Sequence, residues 1–337
     1  MNFSLLFVIV ALMKRSLPAI GLFAVLWLIR SSLPGSLCAG PLEIKNQFPL
    51  SLHLNTPYPE SAEIRDTFRV QLFYSSIFFM RENPTWSIRM DFETTELVFS
   101  LRKCLSDSLE AGLDLPFLSF NSGFMDRGLE WYHTTFGFAN YGRSSRPANQ
   151  FLYRIRKNQD LLLEGEQGGA GLGDLRISGK KVLWKHKNQP LLSLKTSLEL
   201  PTGDPNKGYG NGGVDWGISV QLEKKLGRLL QANLNLGLVA PGDLKTSPLI
   251  DLRTYYYGCI GVEAEATPAF SLLGQFSVQT SPFPTTGIKR MDNPALMFSL
   301  GARYQLGRTF WECALTEDLN GSGAPDFIFG FSFKQKF

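Results

Sequence analysis

The C-terminal segment Phe327–Phe337 constrains the fold more than any other part of the chain, because phenylalanine occupies nearly every second position. A repeat of two gives a β-strand one continuous apolar face and leaves its other face mixed. A lipid bilayer covers such a face directly, and a tilted strand of about 9–11 residues spans it. The alternative is an edge strand of a soluble β-sandwich. The segment predicts the closing strand of a transmembrane β-barrel, with Phe333 and Phe337 as its assembly signal.

Residues 1–39 have the pattern of an export signal. Lys14-Arg15 precede an apolar run at 17–29, and small residues follow as far as Ala39, the expected last residue removed. Met13 is the more natural start of translation. Because the apolar run is short and broken by a proline, we expect a cleaved signal peptide; an uncleaved membrane anchor is the alternative.

The charge and cysteine pattern excludes several classes of function. Removal of residues 1–39 takes away three basic residues and no acid, so the formal charge falls from +4 to +1. No basic field typical of nucleic-acid binding remains. Cys104, Cys259 and Cys313 are widely spaced and form no metal-binding motif, and whether two of them pair stays open. We therefore expect no cofactor, metal or nucleic acid.

Strand-like segments separated by alternately short and long connections follow residue 66. An antiparallel barrel with short periplasmic turns and long external loops requires this alternation. Residues 149–166 must add either no strand or two, so we expect about 12 strands, or 14 if that segment is a hairpin. The predicted strands are approximately 67–79, 86–104, 108–119, 171–185, 190–200, 213–225, 228–239, 251–265, 268–280, 294–305, 309–318 and 325–337.

These patterns predict an all-β, single-domain, antiparallel transmembrane barrel over residues 67–337, in a bacterial outer membrane. Residues 40–66 contain several prolines and little periodicity. We expect them to form an extension that lies in the periplasm or in the barrel lumen. The expected partners are outer-membrane lipid, the barrel-assembly machinery and an unknown small solute, and the barrel is expected to be a monomer.

Residues 121–149 interrupt the strand alternation with a short helical pattern, in which Leu129, His133 and Phe136 fall on one face. Since the segment is too long for a simple hairpin connection, we expect it to fold into the barrel mouth or lumen as a constriction. Its arginines would then favour the passage of anions. The candidate binding or constriction residues are Asp126, Glu130, His133, Arg143 and Arg146.

Passage or binding of a small solute is the function that this architecture favours. One alternative is an outer-membrane hydrolase of lipid or glycolipid that uses His133 with an acidic partner. No serine lies in an activated GxSxG setting, so an enzyme is the weaker hypothesis and we assign no catalytic residue. A third hypothesis is a structural or surface barrel without transport.

Several motifs together resemble the family catalogued as domain of unknown function 3187, a group of predicted bacterial outer-membrane β-barrels. The resemblance covers about residues 41–337 and implies location and architecture but no reaction. Two of its elements also resemble a broader set of barrels associated with degradation of aromatic compounds. The segments that carry the resemblance are 41–49, 123–126 with His133 and 136–137, 171–175, 200–204 and 326–337.

Overall fold

The first strand after the N-terminal segment pairs with the last strand of the chain, which closes the sheet into a barrel. The structure, a computed structural model, describes residues 40–186, 189–247 and 249–337; the predicted signal peptide lies outside them. The α-helices are α1 (Pro49–Leu52), α2 (Asp126–Phe136) and α3 (Lys289–Asp292), with 3-10 turns at Arg143–Ser145 and Pro205–Lys207. The strands are β1 (Thr67–Glu82), β2 (Trp86–Cys104), β3 (Leu109–Asn121), β4 (Leu152–Lys157), β5 (Asp160–Glu164), β6 (Ala170–Leu172), β7 (Leu175–Trp184), β8 (Leu191–Leu200), β9 (Asp215–Leu226), β10 (Leu230–Ala240), β11 (Tyr255–Thr267), β12 (Phe270–Gln279), β13 (Ala295–Leu306), β14 (Thr309–Asp318) and β15 (Phe327–Lys336).

Twelve of these strands form the ring, in the order β1, β2, β3 and then β7 to β15, and neighbours run antiparallel. The predicted all-β antiparallel barrel is confirmed, including its number of strands. We call the end that holds the β2–β3, β9–β10, β11–β12 and β13–β14 turns the inner end and the opposite end the outer end. Cys104, Cys259 and Cys313 are all unpaired thiols. Among the described residues, no helix is long and apolar enough to cross a membrane.

Residues 149–166 form a hairpin, but the hairpin lies outside the ring. β2 has 19 residues, whereas about 9–11 span a bilayer, so its first residues continue beyond the outer end of the ring. There β4 pairs with β2 from Trp86 to Asp91, and β5 pairs with β4. β6 pairs with the outer part of β3. The 14-strand alternative is therefore wrong, because the hairpin adds strands above the wall and not within it.

Side chains alternate between lipid and lumen along the strands. Phe276 and Phe298 lie opposite each other on β12 and β13, with ring centroids 4.6 Å apart on the outward face. One position along each strand, Gln275 and Ser299 form the next pair, and both are buried on the inward face. Leu300 of the outward set is exposed. Exposed apolar side chains on this face are expected, because lipid rather than water covers it.

The phenylalanine row of β15 faces outward, as its spacing predicted. Phe333 packs against Trp311 of β14, with ring centroids 4.7 Å apart. Its neighbours in sequence, Ser332 and Lys334, are buried on the inward face. The alternation of β15 thus separates a lipid-facing aromatic surface from a polar lumen wall.

Replacing both Phe333 and Phe337 with serine should lower the amount of folded barrel in the outer membrane. Each phenylalanine removed from lipid contact forfeits roughly 1.5–3 kcal/mol of apolar burial, and the predicted assembly signal is lost with it. The measurement is the outer-membrane level of the heat-resistant folded form. The control is Ser332→Ala, on the inward face of the same strand. Normal levels of the double variant would contradict the prediction.

Candidate functional site

Residues 40–66 form a hairpin that lies inside the barrel, which we call the lumenal hairpin. At its start, the carbonyl of Gly40 accepts a hydrogen bond from Arg303 Nη2 (3.0 Å) near the inner end. The chain rises to α1 and then returns, and the amide of Arg65 donates to Glu110 Oε2 (3.0 Å), again near the inner end. Every residue from 40 to 56 is buried. Of the two placements that the sequence left open, the structure has the segment in the lumen.

An apolar cluster holds the upper part of the lumenal hairpin. Phe48 packs edge-to-face on Phe79 of β1, with ring centroids 5.6 Å apart, and Leu50 and Leu52 of α1 join the same cluster. The outer parts of β1, β2 and β3, the β4–β5 hairpin and the outer loops supply the rest, and together they surround α1 at the barrel mouth. The other buried members are Ile77, Trp86, Ile88, Met90, Phe92, Leu118, Phe120, Tyr153, Ile155, Leu162, Leu163, Tyr209, Leu244, Ile250, Phe283, Ile288 and Met291.

Ion pairs hold the rising arm of the lumenal hairpin to the wall. The carboxylate of Glu43 contacts both Arg69 of β1 and Lys334 of β15. Lys45 Nζ lies 2.9 Å from Glu96 Oε1 of β2. All five side chains are buried. Because β1 and β15 are the two strands that close the ring, this arm contacts the wall across the closure.

Glu60 on the returning arm is bound by three cations of the wall, which we call the cationic triad. Its carboxylate lies 3.1 Å from Arg102 Nη2, 3.4 Å from Lys180 Nζ and 2.6 Å from Lys195 Nζ. The amide of Glu60 donates to Asn235 Oδ1 (2.9 Å). One residue therefore bridges β2, β7, β8 and β10.

The sequence prediction missed these wall residues. Lys180, for example, is buried in the lumen. Its neighbour Lys181 is exposed on the outward face. The available signal was the position of Lys180 on the same strand face as Arg176, since strand residues four apart face the same way.

The cavities beside the lumenal hairpin are small. One of about 50 Å³ lies near the inner end, between Glu43, Glu60 and Lys334. Another of about 10 Å³ lies beside Tyr58 and Lys195. A cavity needs about 10–15 Å³ to hold one water molecule, so these spaces admit a few waters and no sugar-sized solute. Passage of such a solute requires the hairpin to move.

The insert at residues 121–149 lies on the outside of the wall. Phe73 of β1 faces the lumen, so Tyr74 faces outward, and the ring of Phe124 stacks on Tyr74 with centroids 5.3 Å apart. Glu93 faces outward from β2 and accepts hydrogen bonds from the amide of Phe124 (3.1 Å) and from the next amide (2.7 Å). The prediction that this insert enters the lumen and narrows the pore is therefore wrong.

The predicted site residues take part in this outer contact. Arg143 pairs with Asp126 of α2 and with Asp326, which precedes β15. Arg146 Nε lies 2.6 Å from Asp91 Oδ2 on the outward face of β2. Since neither arginine faces the lumen, the expected bias toward anions does not follow from them. Their binding of a solute stays a prediction; their observed contacts hold the insert on the wall.

His133 is buried where α2 meets the wall. Its Nε2 lies 3.2 Å from Glu317 Oε1 of β14, and its Nδ1 lies 3.2 Å from Asn140 Oδ1. Burial, the largest influence, lowers the pKa of His133, but Glu317, Asp326 and the hydrogen bond to Asn140 together outweigh it and leave the pKa above its ordinary value. Glu130 is half-buried on α2, and the acidic partner of His133 is Glu317 instead.

Replacing Arg143 with glutamine should release the insert from the wall. The change leaves two buried carboxylates without their partner, which costs about 3–5 kcal/mol of docking. The measurement is the rate of trypsin cleavage after the exposed Arg127 in the folded barrel. Arg156→Gln, at an exposed position on β4, is the matched control. Parent-like protection of Arg143→Gln would contradict the docking described above.

Raising the pH should also loosen the insert. Because the folded-state pKa of His133 is raised, its contribution is complete below the unfolded pKa and is lost as pH rises through the folded pKa. Tryptic cleavage after Arg127 should therefore rise as the pH is raised above about 6.5, the ordinary pKa of histidine, relative to the same cleavage in His133→Gln. A constant ratio of the two rates would show that His133 titration does not affect docking.

Solved structures share this architecture. The crystal structure of the COG4313 outer membrane channel from Pseudomonas putida F1 matches with a TM-score of 0.54 and 15% identity, over 82% of this chain and 96% of that chain. The NanC porin matches with a TM-score of 0.45 and 8% identity, over 80% of this chain and 100% of that chain. At such low identity the first likeness shows the fold alone, a barrel of the outer-membrane type. No curated protein matches the chain.

The family is identified by the sequence. The family described as "Protein of unknown function (DUF3187)" matches residues 20–337. This match extends over the lumenal hairpin, the insert and all the strands of the ring. The chain therefore belongs to the DUF3187 family, as its motifs indicated.

Proposed function

We propose that this protein is an outer-membrane channel for a small solute, closed by the lumenal hairpin and opened when that hairpin withdraws. The observation that carries this proposal is the buried hairpin itself, which occupies the lumen of a complete ring. Its lower part contacts the wall through ion pairs of Glu43, Lys45 and Glu60. Water and solute can replace such polar contacts when the hairpin leaves, so the wall beneath it suits an aqueous path.

The wall itself supports passage of a polar solute. Inward positions around the ring carry amides and charges rather than a continuous apolar surface. The COG4313 protein of the same fold is described as an outer membrane channel, which agrees with this proposal. We infer that the barrel acts as a monomer, because one chain closes the ring. The inward polar residues include Gln71, Asp114, Gln221, Asn233, Glu263, Gln275 and Glu312.

The hydrolase hypothesis has little support in the geometry. His133 does have an acidic neighbour in Glu317, but its ring is buried between α2 and the wall, and both nitrogens lie beside other side chains. A general base must reach the group whose proton it takes. His133 is instead engaged in holding the insert.

Deleting residues 41–62 should convert a closed barrel into a conducting one. The deletion removes the hairpin from the lumen and leaves the strands of the ring intact, so single-channel conductance in planar bilayers should rise strongly above the parent. Deletion of residues 123–137 is the matched control: it removes a segment from the outside of the wall, so conductance should stay at the parent level.

Heat-modifiable mobility establishes that each variant is folded before recording. If the deletion variant does not fold, the full-length Glu43→Gln/Glu60→Gln variant replaces it, and more frequent openings are expected because two carboxylate contacts are lost. A folded barrel without residues 41–62 that fails to conduct would overturn the channel proposal and favour a structural barrel.

A further inference from the structure

The cationic triad and the carboxylate of Glu60 form a complete binding site for one carboxylate. Arg102, Lys180 and Lys195 approach the two oxygens of Glu60 from three strands, at 3.1, 3.4 and 2.6 Å. All four side chains are buried. Hydrogen bonds between charged partners of this kind are roughly twice as strong as neutral ones. The three cations of the wall thus surround a carboxylate that comes from the hairpin and not from the wall.

The charges of the site call for a single anion. Asp114 lies 2.8 Å from Arg102 Nη1, and Glu110 lies 3.2 Å from Lys180 Nζ. Lys195 has no such contact with either wall carboxylate among the ion pairs of the described residues. Three cations therefore face two wall carboxylates, and Glu60 supplies the missing negative charge. Asp114 also lies 3.9 Å from Arg69, so without the hairpin the site keeps at least one uncompensated positive charge.

A second contact adds to the specificity of the site. The amide of Glu60 donates a hydrogen bond to Asn235 Oδ1 (2.9 Å) on β10, two strands beyond β8 of the triad. When the hairpin withdraws, Asn235 Oδ1 loses its hydrogen-bond donor. The triad loses its carboxylate at the same time. A solute that carries a carboxylate and a hydroxyl or amine a few bonds away would satisfy both.

We propose that the cationic triad binds the carboxylate of a transported solute, and that Glu60 occupies this site in the closed state. This inference rests on the proposed channel function and names the solute class, a monocarboxylate with a hydrogen-bond donor. Glu60 and the solute compete for the same cations. A charged solute therefore replaces the contact that keeps the hairpin in place, which couples opening to the presence of the solute.

The test compares uptake of gluconate and sorbitol into proteoliposomes, since both are polyols of similar size and neither crosses lipid. Potassium and valinomycin hold the membrane potential at zero. The barrel without residues 41–62 should take up gluconate about tenfold faster than sorbitol, because only gluconate carries the carboxylate that the triad binds. Lys195→Gln in this barrel removes the triad cation that contacts neither wall carboxylate, so the ratio should fall well below that of the deletion barrel.

Lys336→Gln is the matched control, because it removes one positive charge from the inner end of the lumen without touching Glu60. Its ratio should stay at that of the deletion barrel. Equal uptake of gluconate and sorbitol before any lysine change would overturn the carboxylate site and leave the channel standing. Entry of neither solute into a folded barrel would overturn the channel, and the site with it.

The full-length chain supplies a second measurement that does not depend on the deletion. Glu60→Gln keeps residues 40–66 but removes the carboxylate that occupies the triad, so gluconate should displace the hairpin and bind to this variant in calorimetry while sorbitol should not. The parent, in which Glu60 occupies the site, should bind gluconate at least about tenfold more weakly. Equal binding of gluconate by parent and variant would show that Glu60 does not compete for the triad.

Discussion

The pairing of β1 with β15 is the contact on which the rest of the structure depends. Closure leaves no sheet edge in the membrane, where an unpaired backbone group would cost several kcal/mol. A ring of twelve strands also encloses more space than its own inward side chains fill. Residues 40–66 occupy that space, so closure of the sheet and burial of the hairpin are two aspects of one architecture. The hairpin contacts both closing strands through Glu43.

The two ends of the hairpin are held by different physical forces. At the outer end, Phe48, Leu50 and Leu52 are buried in an apolar cluster, and each contributes roughly 1.5–3 kcal/mol. At the inner end, the ion pairs of Glu43 and Glu60 must first overcome the loss of water around each charge, so their net contribution to stability is small. The apolar end therefore supplies most of the affinity, whereas the charged end fixes position and makes the hairpin sensitive to competing ions.

Strand alternation and loop lengths were sufficient to predict the barrel. Both the repeat of apolar residues at every second position and the alternation of short and long loops are local properties of the chain. The side of the wall on which the insert packs was not predictable in this way. Helical periodicity placed Leu129, His133 and Phe136 on one face; the first two are buried and Phe136 is exposed, and the pattern does not state which surface covers the face. The missed signal lay in the strands: Asp91, Glu93 and Glu317 face outward, and carboxylates at the lipid face must be covered. The contacts of Glu60 join distant strands, and no local pattern encodes them.

The path of the lumenal hairpin has a topological consequence. Gly40 and Asp66 both lie near the inner end, and the chain between them turns at α1 near the outer end. The described segment thus enters and leaves the barrel by the same opening. Such a loop can slide out toward the periplasm without passing a chain end through the ring and without breaking one backbone hydrogen bond of the wall. The lumenal hairpin and the ring are therefore topologically separable, although a single covalent chain forms both.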